Sequence, residues 1–269
     1  DTTAPRINSV TGLSNDGTYI KDQSIDLRMT FSEKVYSSGT INVTFETGSG
    51  TDRVENIAAF GNAYNTGNQY STQDFTFTVQ NGNESDDLAV HASTNIAMAS
   101  GKIYDIAQNE VSNYALATEN LSANSAYVID GKPPTITSIT STTADNTYGI
   151  GKIINVRTTF SEPVRTTGDY IVTLETGGTD GTATTSSWGN SQTDVVNGDY
   201  TIASPHLSGD LAAASADMVS GALTDVAGNA IADWTINTNI NAASDIVVET
   251  TLPTIKHITS STNNGTYGI

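Results

Sequence analysis

Pro134-Thr-Ile-Thr-Ser-Ile-Thr-Ser-Thr-Thr-Ala-Asp-Asn-Thr-Tyr-Gly-Ile150 recurs as Pro253-Thr-Ile-Lys-His-Ile-Thr-Ser-Ser-Thr-Asn-Asn-Gly-Thr-Tyr-Gly-Ile269. A looser copy opens the chain, from Pro5-Arg-Ile-Asn-Ser-Val10 through Asn15-Asp-Gly-Thr-Tyr-Ile20. Tyr19, Tyr148 and Tyr267 stand equally far from Pro5, Pro134 and Pro253. Internal repetition of this kind settles the architecture before any single residue does. Working outward, Phe31-Ser-Glu33 matches Phe160-Ser-Glu162, and Glu46-Thr-Gly48 matches Glu175-Thr-Gly177. Further on, Asp87-Leu88 matches Asp210-Leu211, and Asp105-Ile-Ala-Gln-Asn109 matches Asp225-Val-Ala-Gly-Asn229. The repeat divides the chain into module one at 1–131, module two at 132–251, and the opening of a third at 252–269.

Within a module the apolar period is two. Ile25, Leu27, Met29 and Phe31 alternate with Asp26, Arg28 and Thr30, and Ile41, Val43 and Phe45 alternate with Asn42 and Thr44. Ile154, Val156, Thr158 and Phe160 repeat the pattern in module two. Alternation buries one face of a strand. Turn clusters such as Ser14-Asn-Asp-Gly17 and Asn81-Gly-Asn83 separate the runs. About seven short strands in each ~120-residue module point to an all-β fold. The expectation is two tandem immunoglobulin-like antiparallel β-sandwiches plus one strand of a third repeat. Ala212–Met218 alone suggests a short helical turn.

The balance of 11 Lys+Arg against 29 Asp+Glu gives a net charge of -18. A surface this acidic repels nucleic acid and anionic membrane, and it attracts cations. No apolar run approaches the ~20 residues of a membrane-spanning helix, so membrane insertion is not expected. Cysteine is absent, which removes disulfides and thiolate chemistry. The first residues already lie inside a linker motif, as expected for a mature product or an excised fragment.

Asp-Thr-Thr-Ala-Pro5, Asn15-Asp-Gly-Thr-Tyr19, Thr-Phe-Ser-Glu-Pro163-Val and Asp-Val-Ala-Gly-Asn229 together resemble the tandem bacterial and archaeal Ig-like, cadherin-like repeats of large surface proteins. The resemblance covers both modules and the third opening. Lys34 and Gln108 depart from it, at positions where Pro and Gly are usual. It implies an extracellular, cell-surface role in an S-layer, sheath or filament, or in the stalk of an adhesin.

Seven up-and-down strands would bring Asp130, Glu162, Asp225 and Asn229 to one end of module two, with Ser161-Glu-Pro163 as a loop. The same count gathers Asp1, Glu33, Asp105 and Asn109 in module one. An all-oxygen set suits a hard cation of six to eight ligands, so Ca2+ fits better than zinc. Asp86 and Asp87 join the expected metal residues from the other end of module one. The resemblance implies, by analogy, a calcium ion that stiffens the joint between modules. Equally, Asp-x-Ala-Gly-Asn is a good turn by itself, since Asp and Asn bond their own backbone and Gly takes positive φ.

Four Asn-x-Ser/Thr triplets, at Asn42, Asn83, Asn120 and Asn264, are candidate glycosylation sites. His91, His206 and His257 have no metal-ligand spacing, and no nucleophile or phosphate-loop motif appears, so an enzyme is not expected. Trp188 and Trp234 read as core residues. The expected partners are neighbouring repeats or copies of the same protein. The apolar strand after Leu252 has no mate in the chain, so its donation to a neighbouring subunit is a further expectation.

Overall fold

The alternation beginning at Ile25 produces a 14-residue strand, β3 (Ser24–Ser37), whose Ile25, Leu27 and Met29 are wholly buried. A computed structural model of the chain describes residues 1–48, 52–63, 67, 69–92 and 96–269. The remaining strands of the first repeat are β1 (Ile7–Gly12), β2 (Gly17–Ile20), β4 (Ile41–Phe45), β5 (Arg53–Ile57) and β6 (Tyr70–Thr78). After them come β7 (Glu84–Ser85), β8 (Ile96–Met98), β9 (Ile103–Asp105) and β10 (Tyr127–Asp130). The second repeat follows the same course with β11 (Ile136–Ser141), β12 (Asn146–Tyr148), β13 (Ile153–Thr166), β14 (Tyr170–Leu174) and β15 (Gly181–Thr185). It continues with β16 (Thr193–Thr201), β17 (Ala213–Met218), β18 (Leu223–Asp225) and β19 (Ile246–Val248). The fold is all-β, as the alternation requires.

Two compact units result, residues 1–134 with 224–232, and residues 135–223 with 233–269. In the first, β3 lies between β1 and β6, β4 lies between β5 and β8, and β10 lies between β2 and β7. The faces of these sheets bury Ile7, Val10, Leu27, Phe45, Phe77, Leu88 and Ile103 completely. Phe45 meets Phe77 edge-on, 5.1 Å between ring centres. In the second unit the order is β11-β13-β16-β15-β14-β17. There Tyr170 is buried against Phe160 and stacks on Trp234, and its hydroxyl meets Thr158 Oγ1 at 3.0 Å. Burial raises the Tyr170 phenol far above its ordinary value.

Four expectations change. A parallel pair in each unit departs from antiparallel pairing: β10 runs parallel to β2, and β19 parallel to β12. The cause is the turn that divides the opening segment. Asp16 Oδ1 accepts the amide of Ala126 and Asp145 Oδ1 that of Asp245, which delivers the second half of the segment to the last strand. Ser161-Glu-Pro163 is not a loop but lies inside β13, where the register against β16 shifts between Thr159 and Val164. Ala213–Met218 is a strand rather than a helical turn, because its ladder to β14 buries Ala213 and Ala216. Tertiary pairing outweighs the high helix propensity of alanine here.

The fourth change concerns residues 252–269, which form no strand and are exposed throughout. Ile255 and Ile258 are 80% and 89% exposed, whereas Ile7, Val10, Ile136 and Ile139 at the same repeat positions are at 0%. β1 and β11 are strands because β3 and β13 pair with them. Residues 252–269 pair with no strand among the described residues. The local turn nevertheless persists: Tyr267 Oη donates to Asn263 O, just as Tyr19 does to Asn15 and Tyr148 to Ala144.

Candidate functional site

Each Phe-Ser-Glu triplet sits at the irregular point of a long strand. Between Thr30 and Val35, β3 advances five residues while its partner advances only from Thr72 to Tyr70. The surplus residues bulge. Phe31 stays in the core at 3% exposure. Ser32 exchanges bonds with the start of the repeat: Arg6 N donates to Ser32 Oγ at 3.0 Å, and Ser32 N donates to Arg6 O at 3.0 Å. Thr135 and Ser161 do the same at 3.0 and 2.9 Å. A bulge re-aims the side chain that follows it, and here that side chain is Glu33.

The second component is the Asp-x-x-x-Asn turn after β9. Asp105 is fully buried. Its Oδ1 accepts the Asn109 amide at 2.8 Å, its Oδ2 accepts Asn109 Nδ2 at 2.8 Å, and its own N–H donates to Asn109 O at 3.1 Å. Asp225 repeats this with Asn229 at 2.8 and 2.8 Å and adds Gly228 N at 2.6 Å. The turn therefore satisfies its own polar groups, as the local chemistry of Asp and Asn predicts. Gly228 takes φ 113, and Gln108 holds the matching place at φ 69.

Asp1 completes the first group by folding back on itself, Thr3 N donating to its Oδ1 at 2.8 Å. Asp1, Glu33 and Asp105 each offer a carboxylate oxygen, all within 4.8 Å of one another. Three anions so close repel each other in the absence of a counter-charge. Of the matching set, Asp130, Asp225 and Asn229 lie together in the first unit. Asn229 Nδ2 reaches Asp130 O at 2.9 Å and Asp130 Oδ1 at 3.3 Å. Glu162 is carried by β13 of the second unit, at the place Glu33 holds on β3.

The asparagines have a part different from the ligand role expected of them. Asn229 Oδ1 accepts the backbone N–H of Lys21 at 3.0 Å, so its nitrogen is the end that faces the acids. Asn109 turns its nitrogen to Asp105 and, at 3.4 Å, to Asp1 O. Each asparagine thus clamps carboxylates rather than adding an oxygen to them. Asp130 is held above the ordinary carboxylate range, first by desolvation and then by the charges of Asp225 and Glu84, with the Lys132 amide opposing. Its environment disfavours an uncompensated negative charge.

Other candidates are scattered. Asp86 and Asp87 are exposed beyond β7 and belong to no converging group of three acids among the described residues. Asn83 is buried, its Oδ1 accepting Gln80 N at 2.8 Å, and the half-buried Asn42 lies within β4 with its Oδ1 buried. Asn120 is committed to structure: its Nδ2 donates to Val90 O, and its Oδ1 accepts Val90 N and Leu121 N. Only Asn264 of the four triplet asparagines is exposed. His206 is buried with Nδ1 2.8 Å from Tyr200 Oη, His91 Nε2 lies 3.3 Å from Asp52, and His257 is exposed. Trp188 is half-buried and donates to Val164 O.

Sequence reasoning missed the asparagine bridge. Asn239 binds Ala213 N and O and caps Ile240, as Asn120 does around Val90. The signal was present, because Asn239 repeats Asn120 without forming an Asn-x-Ser/Thr triplet. No protein-family model matches this sequence, and no curated protein matches it.

Proposed function

We propose that this chain is a structural segment of an extracellular surface array, such as an S-layer, sheath or filament, and that its acidic clusters take calcium. The observation carrying the proposal is the convergence of Asp1, Glu33 and Asp105 within 4.8 Å, on residue types repeated at Asp130, Glu162 and Asp225. Carboxylate oxygens alone are donors for a hard divalent cation. Bound calcium would supply the positive charge that neutralises the three acids. The chain supplies the rest. Ser32 fixes the bulge that aims Glu33, Asn109 holds Asp105, and the Asp1 turn stiffens the linker into the repeat.

Repeats fastened in this way act mechanically, by resisting unfolding and setting reach. The adhesin-stalk reading shares this geometry and differs only in needing a separate binding domain. Donation of 252–269 to a neighbouring subunit is part of the proposal.

Calorimetry with and without calcium tests it. A cation that binds only the folded state stabilises it by about 2.7 kcal/mol at 100-fold excess over Kd. Calcium is expected to raise Tm and EDTA to reverse the rise, with Glu33→Gln reducing the response. A melting profile indifferent to millimolar calcium would sink the calcium part. Flexible monomers by electron microscopy at every concentration would favour the stalk.

A further inference from the structure

We propose that Asn264 is the acceptor of an N-linked glycan, and that its position in the repeat is what makes it one. Asn264-Gly-Thr266 is one of four Asn-x-Ser/Thr triplets in the chain. The fold withdraws the other three. Asn42 lies within β4, between β5 and β8, with its Oδ1 buried. Asn83 is 7% exposed, and its Nδ2 points to Thr47 Oγ1 at 3.5 Å. Asn120 Nδ2 donates to Val90 O at 2.8 Å. A sugar on either of these last two nitrogens would have to displace its partner.

The two earlier repeats show what surrounds this position once the segment is built into a sheet, so access to Asn264 does not depend on residues 252–269 standing unpaired. Asp16 and Asp145 stand as far from Pro5 and Pro134 as Asn264 does from Pro253. Both lie in unbroken exposed runs, 15–18 and 144–147. Each spends one oxygen on the end of its own repeat. Asp16 Oδ1 accepts Ala126 N at 2.9 Å, and Asp145 Oδ1 accepts Asp245 N at 2.9 Å. The other oxygen of each accepts no hydrogen bond from the described residues. A Cβ added at Gly17, beside Asp16, would meet nothing within 4 Å. Asparagine in this place can accept the same amide through Oδ1, and the atom left over is then Nδ2, the glycan acceptor. Thr266 falls where Thr18 and Thr147 are exposed, so the hydroxyl that completes the triplet is accessible too. The tyrosine turn is common to all three copies, Tyr267 Oη donating to Asn263 O as Tyr19 does to Asn15 O and Tyr148 to Ala144 O.

The co-substrate is an oligosaccharide carried on a polyprenyl diphosphate. Asn264 Nδ2 bonds to the anomeric carbon and gives up a proton. The bond from that carbon to the phosphate oxygen breaks, and the diphosphate leaves with the electron pair. An accepted triplet belongs to a surface loop of an exported protein, so the inference rests on the extracellular reading above. A single residue decides which repeat is modified, because aspartate at 16 and 145 offers no nitrogen.

The folded full chain, incubated with an oligosaccharyltransferase and a polyprenyl-diphosphate oligosaccharide, provides the test, read by site-resolved tandem mass spectrometry. Circular dichroism checks that each variant is folded. Wild type should carry a glycan on Asn264 and on no other residue. Asn264→Gln and Thr266→Ala should each lose it. Asp16→Asn and Asp145→Asn complete triplets with Thr18 and Thr147, and each should gain a second glycan, now within a folded unit. An unmodified Asn264 overturns the proposal. So does a glycan on Asn42, Asn83 or Asn120 of the folded wild type, or folded Asp16→Asn and Asp145→Asn variants that gain none. Each of those results leaves the array and its calcium standing, since calorimetry and electron microscopy decide them separately.

Discussion

Single residues carry two kinds of work in this chain, and charge shows the difference. Arg28 and Asp74 face each other across β3 and β6 and form a bidentate pair at 2.6 and 2.7 Å. The Arg28 hydrogen bond, with its charge adding to it, lowers the Asp74 pKa below its ordinary 3.8. A carboxyl whose folded value is depressed contributes stability above its unfolded value and loses it as pH falls through the folded one. The pair therefore stabilises at neutral pH and fades in acid. Arg28→Ala should lower Tm slightly at pH 7, the gap from wild type closing in acid as Asp74 becomes protonated. A gap that persists in acid would mean that the arginine stem, not its charge, is what matters. Asp130 has the opposite sign, since its surroundings raise its pKa. One acid is paired and the other crowded, and the crowded one marks the candidate site.

At the scale of elements, short polar side chains position what strands alone do not. Asn239 fastens β17 to the last loop through Ala213 N and O and caps a 3-10 turn at Ile240. Removing it breaks two strand-bridging bonds and leaves the Ala213 N–H and C=O without their side-chain partner. Asn239→Ala should cost roughly 2–3 kcal/mol in urea unfolding. Asn239→Gln should recover little, because the longer side chain displaces the amide. A cost under about 0.5 kcal/mol would show that water replaces the bridge. The strands themselves were legible from alternation at Ile25–Phe31 and Ile154–Phe160, where burial on one face leaves a direct trace. The bulge at Glu33 and Glu162 was not, because a register shift depends on the partner strand and leaves no periodicity of its own. The convergence of Asp1, Glu33 and Asp105 was legible through the repeat. The orientation of Asn229 was hidden, since the Lys21 amide that fixes it lies far away in sequence.

At the scale of the whole molecule, the same sentence of sequence has two fates. Pro5–Ile20 and Pro134–Tyr148 are built into sheets, while Pro253–Ile269 keeps only its tyrosine turn. The difference is the availability of a mate, not the residues, because Ile255 and Ile258 match isoleucines and a valine that are wholly buried elsewhere. Fully burying such a side chain is worth about 1.5–3 kcal/mol. Deleting 252–269 should leave the Tm of dilute chain within about a degree, since no hydrogen bond ties it to the rest of the described residues. The deletion should also reduce binding of a hydrophobic dye and weaken self-association. A large fall in Tm would show that the segment packs on its own chain. Undiminished assembly would show that copies associate without strand donation.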